Sequence, residues 1–316
     1  MLRITAKAVI DEFRARDIPY AIIDEDRSIL RYEKNGHSYF IRGTVGEFSS
    51  ASGVMVANSK IMSDIVAREL NLTVPETAVY KSKSKALDFL KNHQPIVVKP
   101  ASEAHGRGVR VNVETEDELI SAVKYSLSLS YNSKDILLQK QVEGADIRVL
   151  VVGYEVVAVS QRIPAFVYGD GTHTVEELIA IENSTNPVRG ENYSTQLNYI
   201  DVGAAREFLG KSIARIPEKD EQIQVCGTAN IGTGGISKDI TDELPSVIKE
   251  SAVSVARHLG MAVCGVDFIA SDISKPDTYY FIEINASPSF GLHLQPFIGK
   301  KRDVAARFVD YIMETV

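Results

Sequence analysis

The sequence predicts a soluble α+β protein, because amphipathic helical segments alternate with pairs of strand-like segments joined by short polar turns. Apolar residues recur at helical spacing in residues 5–16, 116–129, 244–259 and 303–314. Strand pairs are predicted in residues 28–42, 136–152 and 262–286. Turns this short join neighbouring antiparallel strands, so hairpins and helices together should form the fold.

Composition limits the class of protein before any motif is considered. The chain has 316 residues, 44% of them hydrophobic and 24% charged, which is typical of a globular protein with two or three domains. A net charge of −7 argues against nucleic acid as a partner. No window approaches the length of a membrane span, and two cysteines in apolar contexts indicate reduced thiols. We therefore expect a cytoplasmic protein that binds neither nucleic acid nor membrane.

A hairpin over residues 262–286 carries the strongest candidate for a metal site. If its strands pair about residues 274–275, Asp267 lies opposite Glu283, and the two-residue period of a strand places Asn285 on the same face as Glu283. Carboxylate and carboxamide oxygens suit Mg²⁺, which often bridges protein carboxylates to substrate phosphates. A hairpin with one solvated face would give the same pattern.

Two lysines and a glycine-containing loop suggest an anion site. Lys99 ends a buried-looking strand at residues 95–100, where an ammonium group needs an anionic partner. The loop at residues 102–108 follows, and its glycines would let backbone N–H groups approach a phosphate. Lys60 lies in the first turn of a helix. The alternatives are a glycine hairpin for the loop and a solvated surface position for Lys60.

The strand pair at residues 136–152 offers the parts of a nucleotide pocket. Such a pocket needs an apolar slot for the base, a polar edge for its amino group and a short acid for the ribose hydroxyls. Gln139, Lys140 and Asp146 could supply the polar parts. Further along, the polar stretch at residues 181–201 is a candidate insertion over the site, or an ordinary surface loop.

Eight ordered motifs give the chain a family resemblance, from about residue 58 to the C-terminus. They are VVKP (97–100), HGRGV (105–109), VEGADIR (142–148), RIPA (162–165), GDGTHTVEEL (169–178), ANIGTGG (229–235), GVDF (265–268) and IEINA (282–286). The chain resembles the ATP-grasp superfamily. Within it, the motifs most resemble the ATP-grasp modules of cyanophycin synthetases and of bifunctional bacterial glutathione synthetases.

This resemblance implies an ATP-dependent carboxylate–amine ligase in which two α+β subdomains clamp ATP. Matched position by position, Lys60 and Lys99 contact the ATP phosphates, Asp146 binds ribose, and Arg162 joins Lys99 in catalysis at the transferred phosphoryl group. The phosphate flap would include Ser102, His105, Gly106, Arg107 and Gly108, and the base pocket Gln139, Lys140 and Val142. The metal ligands would be Asp267, Glu283 and Asn285, holding two Mg²⁺ ions, for which Mn²⁺ can substitute.

The resemblance also implies a division of the chain and a range of substrates. A short N-terminal region at residues 1–57 would precede an ATP-grasp module at 58–316, with a lid at about 95–160 and a metal and substrate subdomain at 161–316. The substrates would be a small-molecule or peptide carboxylate and an amine, in a homodimer or homotetramer. Two alternatives stay open: an enzyme that forms ester or amide cross-links within a peptide, and a non-catalytic nucleotide-binding module.

Overall fold

The computed structural model describes residues 2–103, 106–131, 134–191, 196–275 and 278–315. Within these residues there are ten α-helices: α1 (Ile4–Ala15), α2 (Ala51–Ala57), α3 (Lys60–Glu69), α4 (Lys83–His93), α5 (Glu116–Ser128), α6 (Val175–Thr185), α7 (Val202–Leu209), α8 (Ser246–His258), α9 (Gly291–Leu294) and α10 (Val304–Thr315). The strands in the same residues are β1 (Tyr20–Asp24), β2 (Ile29–Lys34), β3 (His37–Arg42), β4 (Thr77–Val79), β5 (Ile96–Pro100), β6 (Arg110–Val113), β7 (Ile136–Lys140), β8 (Ala145–Val152), β9 (Glu155–Ile163), β10 (Phe166–Tyr168), β11 (Arg189–Gly190), β12 (Leu197–Asn198), β13 (Gln222–Gln224), β14 (Ile236–Asp239), β15 (Val263–Ala270) and β16 (Tyr279–Asn285).

A five-stranded antiparallel sheet forms the centre of the molecule, in the order β14-β9-β8-β15-β16. The odd-numbered residues 147–151 of β8 face a core that includes α8. Leu150 and Val152 face a second core with α1 and α10. Burial on both faces explains why these strands are almost continuously apolar. Asp146 and Arg148 continue the second face beyond the helices, where the polar site begins.

A smaller sheet of four antiparallel strands, in the order β4-β7-β5-β6, lies over this polar region. Ile96 and Val98 of β5 pack with α4 and α5 in a core of their own. Because side chains alternate along a strand, Lys99 lies on the opposite face of β5. Val97 is directly opposite Gln139 of β7, so that polar side chain shares the face of Lys99.

The chain changes from one sheet to the other well before residue 160, near which we expect the lid to end. The small sheet runs from β4 to β7, and β8 and β9 belong to the large sheet, where β8 pairs with β15 and β9 with β14. The chain crosses between the sheets at residues 141–144. Gly144 has φ +147°, and a Cβ there would lie 2.3 Å from the carbonyl oxygen of Ala270. The crossing therefore requires glycine at this position.

The N-terminal region packs onto the large subdomain and shares its core. Its α1 contributes Val9 and Phe13 to the core that also contains Phe308 of α10. The Thr5 hydroxyl accepts a hydrogen bond from the Phe290 backbone N–H at 3.0 Å. The predicted N-terminal region at residues 1–57 is thus continuous in packing with the segment that follows β16.

A third unit with its own hydrophobic core follows β9. It consists of α6, α7, β10 and β13, and its core runs from Ala165 to Cys226. A capping box of Thr174 and Glu177 begins α6. The predicted insertion at residues 181–201 covers only part of this unit, because its apolar residues are spread over some sixty positions with little local pattern. Residues 192–195 lie outside the described part.

Several predictions of local structure are confirmed. The predicted helices correspond to α1, α5, α8 and α10, and α5 begins with a capping box of Thr115 and Glu118. Cys226 and Cys264 are both buried and free, and burial raises the pKa of their thiols to about 11 and 12. Among the residues that the structure describes, no helix is both long and apolar enough to span a bilayer.

Candidate active site

A row of five polar side chains crosses the large sheet. Antiparallel register places them side by side, one on each strand, in the order Asp239, Ser160, Arg148, Asp267 and Glu283. Residues directly opposite each other in a sheet point to the same face. The predicted pairing of Asp267 with Glu283 is confirmed. It could be predicted because the register of β15 and β16 depends on a single local turn.

Asp267 is the most buried charged member of the row, with 2% of its surface exposed. Both its oxygens accept hydrogen bonds from Arg148, the Nη2 contact being 2.9 Å, and Arg162 Nη2 lies 2.9 Å from Oδ2. Burial opposes ionisation, but the two guanidinium groups hold the pKa of this carboxyl below its usual range. Asn285 Nδ2 is 3.4 Å from the same Oδ2. The carboxylate is therefore charged and firmly oriented.

Glu283 completes the predicted metal set and faces a lysine. Lys60 Nζ lies 3.5 Å from Glu283 Oε2 and 2.5 Å from the carbonyl oxygen of Glu103, at the start of the glycine-containing loop. Lys60 is the first residue of α3, and the Ser59 hydroxyl caps that helix. The Lys60 ammonium group therefore connects the hairpin of β15 and β16 with the loop predicted to cover the phosphates.

Lys99 is 6% exposed and points from the small sheet toward the polar row. Burial lowers the pKa of its ammonium group to about 8, and the nearby Glu283 partly offsets this effect. Its Nζ donates to Gln139 Oε1 at 2.8 Å, and Gln139 Nε2 donates to Thr77 Oγ1 at 3.1 Å. Because its partner Gln139 is neutral, the ammonium group has no directly bonded anion among the described residues.

These contacts also show the present bonding of Gln139, a predicted residue of the base pocket. Its side-chain carbonyl oxygen accepts from Lys99. Lys140 ends β7 with an exposed side chain, and Val142 is half-buried in the crossing between the sheets. Gln139 and the two predicted base-pocket residues that follow it therefore lie at the end of the small sheet and in the crossing.

Asp146, expected to bind ribose, is paired with Arg162, which lies directly across from it on β9. Arg162 Nε donates to Asp146 Oδ1 at 2.7 Å. Burial raises the pKa of the Asp146 carboxyl in spite of this neighbour. Burial by itself lowers the pKa of the Arg162 guanidinium, but Asp146 and Asp267 together raise it above its ordinary value.

The glycine-containing loop reaches from β5 toward the third unit. A Cβ at Gly108, where φ is +74°, would lie 2.8 Å from Pro100 Cγ, so the turn needs glycine. A Cβ at Gly106 would lie 3.4 Å from Asn230 Nδ2, across the cleft. The Arg107 guanidinium lies 5.9 Å from the centre of the Tyr131 ring. Ser102 is half-buried at the start of the loop, and His105 lies outside the described residues.

Sequence reasoning missed two sets of contacts. Arg148 belongs to a quoted motif, and its two-residue spacing from Asp146 was the signal that both share a face, but no role was assigned to it. The second set joins the small sheet and its helix α5 to the third unit. Glu207 of α7 accepts from Arg110 of β6 and, at 3.0 Å, from the Tyr125 hydroxyl of α5. No sequence signal links positions so far apart.

The donor set fits a hard divalent cation in its chemistry. Two carboxylates and one carboxamide meet on the hairpin of β15 and β16, and oxygen donors of this kind suit Mg²⁺ with water or phosphate completing the shell. No group of three or more His, Cys, Asp or Glu side chains suited to a metal occurs in the described part of the chain.

The two sheets are arranged as in the ATP-grasp fold, and comparisons with known proteins agree with this fold. A family model described as the ATP-grasp domain of prokaryotic glutathione synthetase matches residues 63–169. The chain is 32% identical to a cyanophycin synthetase from Synechocystis sp. over 98% of its own length and 36% of that protein. It is 29% identical to a bifunctional glutathione biosynthesis protein from Pasteurella multocida over 95% of its length and 41% of that protein.

Solved structures agree with these relationships. The crystal structure of a bifunctional glutathione synthetase from Pasteurella multocida covers the whole chain with a TM-score of 0.71 and 27% identity, and 44% of that protein is matched. A D-alanine–D-alanine ligase from Bacillus anthracis, at 16% identity and a TM-score of 0.51 over 84% of this chain, shares the fold. The chain thus spans about two fifths of the curated relatives that it matches.

Proposed function

We propose that the protein is an ATP-dependent ligase that activates a carboxylate as an acyl phosphate and joins it to an amine. One observation carries this proposal: Lys60 from helix α3 and Lys99 from the small sheet converge on the face that holds Asp267, Glu283 and Asn285. Phosphoryl transfer needs positioning and charge neutralisation more than covalent help from the protein, and this arrangement offers both.

In the proposed reaction, a carboxylate oxygen of the first substrate attacks the γ-phosphorus of ATP, and the bond to the β–γ bridging oxygen breaks to release ADP. The amine of the second substrate then attacks the acyl carbon, loses a proton and displaces phosphate. Two Mg²⁺ ions, held by Asp267, Glu283 and Asn285, would neutralise the charge of the polyphosphate. Lys60 and Lys99 would hold the phosphates, and Arg162 would stabilise the transferred group.

The loop around Gly106 and Gly108, with Ser102, His105 and Arg107, would cover the phosphates and exclude water. Gln139, Lys140 and Val142 would border the base. We propose the division of the module at residues 141–144 rather than near 160, with β4–β7 as the lid. The substrates would be an amino acid, a peptide or another small carboxylate, together with an amine. The protein would act as a homodimer or homotetramer.

The ligase proposal is tested by the fate of a labelled oxygen. With an ¹⁸O-carboxylate substrate found by screening for ADP release, one labelled oxygen should appear in the phosphate, as weighed by mass spectrometry. Label that stays wholly in the product contradicts acyl-phosphate chemistry. The product mass separates joining two molecules from an internal cross-link, which loses one water and adds no second substrate.

Glu283→Gln provides the matched test of the metal set. The amide keeps the shape of the side chain but removes a ligand charge, so we expect the turnover to fall by about three or more orders of magnitude at saturating Mg²⁺. Glu243→Gln, which changes an exposed partner of Lys238, should leave turnover and melting temperature unchanged. Equal turnover in both variants would refute the assignment of Glu283.

A further inference from the structure

Arg162 connects two carboxylates that the proposed reaction needs for different purposes. Its Nε lies 2.7 Å from Asp146 Oδ1, and its Nη2 lies 2.5 Å from the same oxygen and 2.9 Å from Asp267 Oδ2. One guanidinium thus serves the predicted ribose acid and a predicted metal ligand together. Planar guanidinium groups suit such paired contacts, because their N–H donors form a rigid fork.

Arg148 holds Asp267 in a different way. Both of its hydrogen bonds go to that carboxylate, and its side chain is 9% exposed, compared with 18% for Arg162. It lies on β8 between two fully paired neighbours of the sheet. Arg148 is therefore a fixed counter-ion, whereas Arg162 makes its contacts from the more open side of the site.

We infer that Arg162 is an exchangeable counter-ion, which occupies the carboxylates of the empty site and gives up Asp267 when Mg²⁺ and nucleotide bind. This inference rests on the proposed function. Without a cation, Asp146 and Asp267 would repel each other in a partly buried site. With Mg²⁺ and polyphosphate present, the divalent ion satisfies Asp267, and the guanidinium turns to the new anionic charge.

The exchange has a measurable consequence for metal binding in the absence of nucleotide. A divalent ion must then compete with a guanidinium that lies 2.9 Å from its ligand oxygen. Removing that positive charge should strengthen metal binding. When nucleotide is present, its phosphates provide an alternative partner for Arg162, and the competition should largely disappear.

The test compares Mn²⁺ binding, measured by electron paramagnetic resonance of free Mn²⁺, in the protein and in Arg162→Met. Without nucleotide, the variant should bind Mn²⁺ at least about tenfold more tightly, since a nearby like charge has been removed. With a non-hydrolysable ATP analogue, the two should differ by less than about threefold. The control is Arg302→Met, because Arg302 pairs with Asp239 at the other end of the same polar row.

The outcomes separate this inference from the proposed function. If the protein does not bind Mn²⁺ even with the analogue, the metal site itself is refuted. If it binds Mn²⁺ with the analogue but Arg162→Met shows no gain without it, only the exchange is refuted.

A structure of the unaltered protein with Mg²⁺ and the analogue gives a second measurement that does not depend on folding of a variant. The Arg162 Nη2 to Asp267 Oδ2 separation should exceed about 4 Å, the limit of an ion pair. Retention of the 2.9 Å contact would overturn the inference.

Discussion

The buried ammonium group of Lys99 should take up a proton when nucleotide binds. Burial lowers its pKa from an ordinary 10.5 to about 8, so near that pH half of the molecules carry a neutral amine. A triphosphate beside Lys99 favours the charged form and should raise the pKa again. Phosphate groups themselves lose their last proton near pH 6, so they do not contribute above pH 8.

The size of the effect follows from that pKa. Proton uptake on binding should be about 0.1 at pH 7, about 0.5 at pH 8 and about 0.9 at pH 9, if the bound lysine is fully charged. The apparent affinity for nucleotide should consequently fall about tenfold between pH 7 and pH 9.

Isothermal titration calorimetry in two buffers of different ionisation enthalpy measures this uptake directly. Lys99→Met should abolish it, and Lys83→Met, which changes an exposed lysine paired with Glu116, should leave it unchanged. No uptake at pH 8 in the unaltered protein, or equal uptake in Lys99→Met, would refute the role of this lysine.

The lowered pKa of Lys99 should also affect the free energy of unfolding. In the folded state without ligand, the depressed pKa means that the unfolded chain binds more protons between pH 8 and 10.5, so stability should rise with pH across that window. The shift from 10.5 to about 8 corresponds to a cost of up to about 3 kcal/mol at pH 7. Lys99→Met should therefore increase the free energy of unfolding in urea by about 1–3 kcal/mol, even though it binds nucleotide poorly. A less stable variant would show that its hydrogen bond to Gln139 outweighs the burial cost.

Two further predictions concern the third unit. Glu207→Ala should speed hydrogen exchange of β6 and α5 by about fivefold or less, because an exposed ion pair contributes about 1 kcal/mol at most. The control is Glu176→Ala, which removes an ion pair between α6 and α7 and should leave these exchange rates unchanged. Equal exchange rates in the two variants would show that the Glu207 contact does not restrain β6 and α5. Arg189→Met should lower the free energy of unfolding by about 3 kcal/mol or more, because it leaves Glu182 and two backbone carbonyls without their buried donor; an unchanged urea midpoint would contradict this.

The parts of the site that depend on short stretches of chain could be predicted from the sequence. The pairing of Asp267 with Glu283 needs only one turn and the period of a strand, and Lys60 at the start of α3 needs only a helix boundary. The contacts of Arg148 and Arg162 with Asp267 depend on the register of strands more than a hundred residues apart, which no local pattern determines. The ATP-grasp assignment rested on resemblance and is supported by the relatives and the fold.

The division of the chain was harder to predict for the same reason. Strand β8 is apolar whichever sheet it joins, and its partner β15 lies far along the sequence. Gln139 illustrates a related limit: its position on β7 was correctly inferred, but the direction of its hydrogen bonds depends on Lys99 and Thr77 in three-dimensional proximity.

The two segments that connect the lid to the rest of the molecule lie side by side. The Lys140 N–H donates to the Glu76 carbonyl at 2.8 Å, so the chain leaves and re-enters the lid at one line. Both segments are bonded or packed against the hairpin of β15 and β16, one through the Phe281 N–H to the Thr73 carbonyl, the other where Gly144 packs on Ala270. Among the described residues no β-ladder joins the small sheet to the large one, so we expect the small sheet to move about this hairpin as a unit. The contacts of Glu207 with β6 and α5 lie on the far side of the small sheet and would restrain that movement.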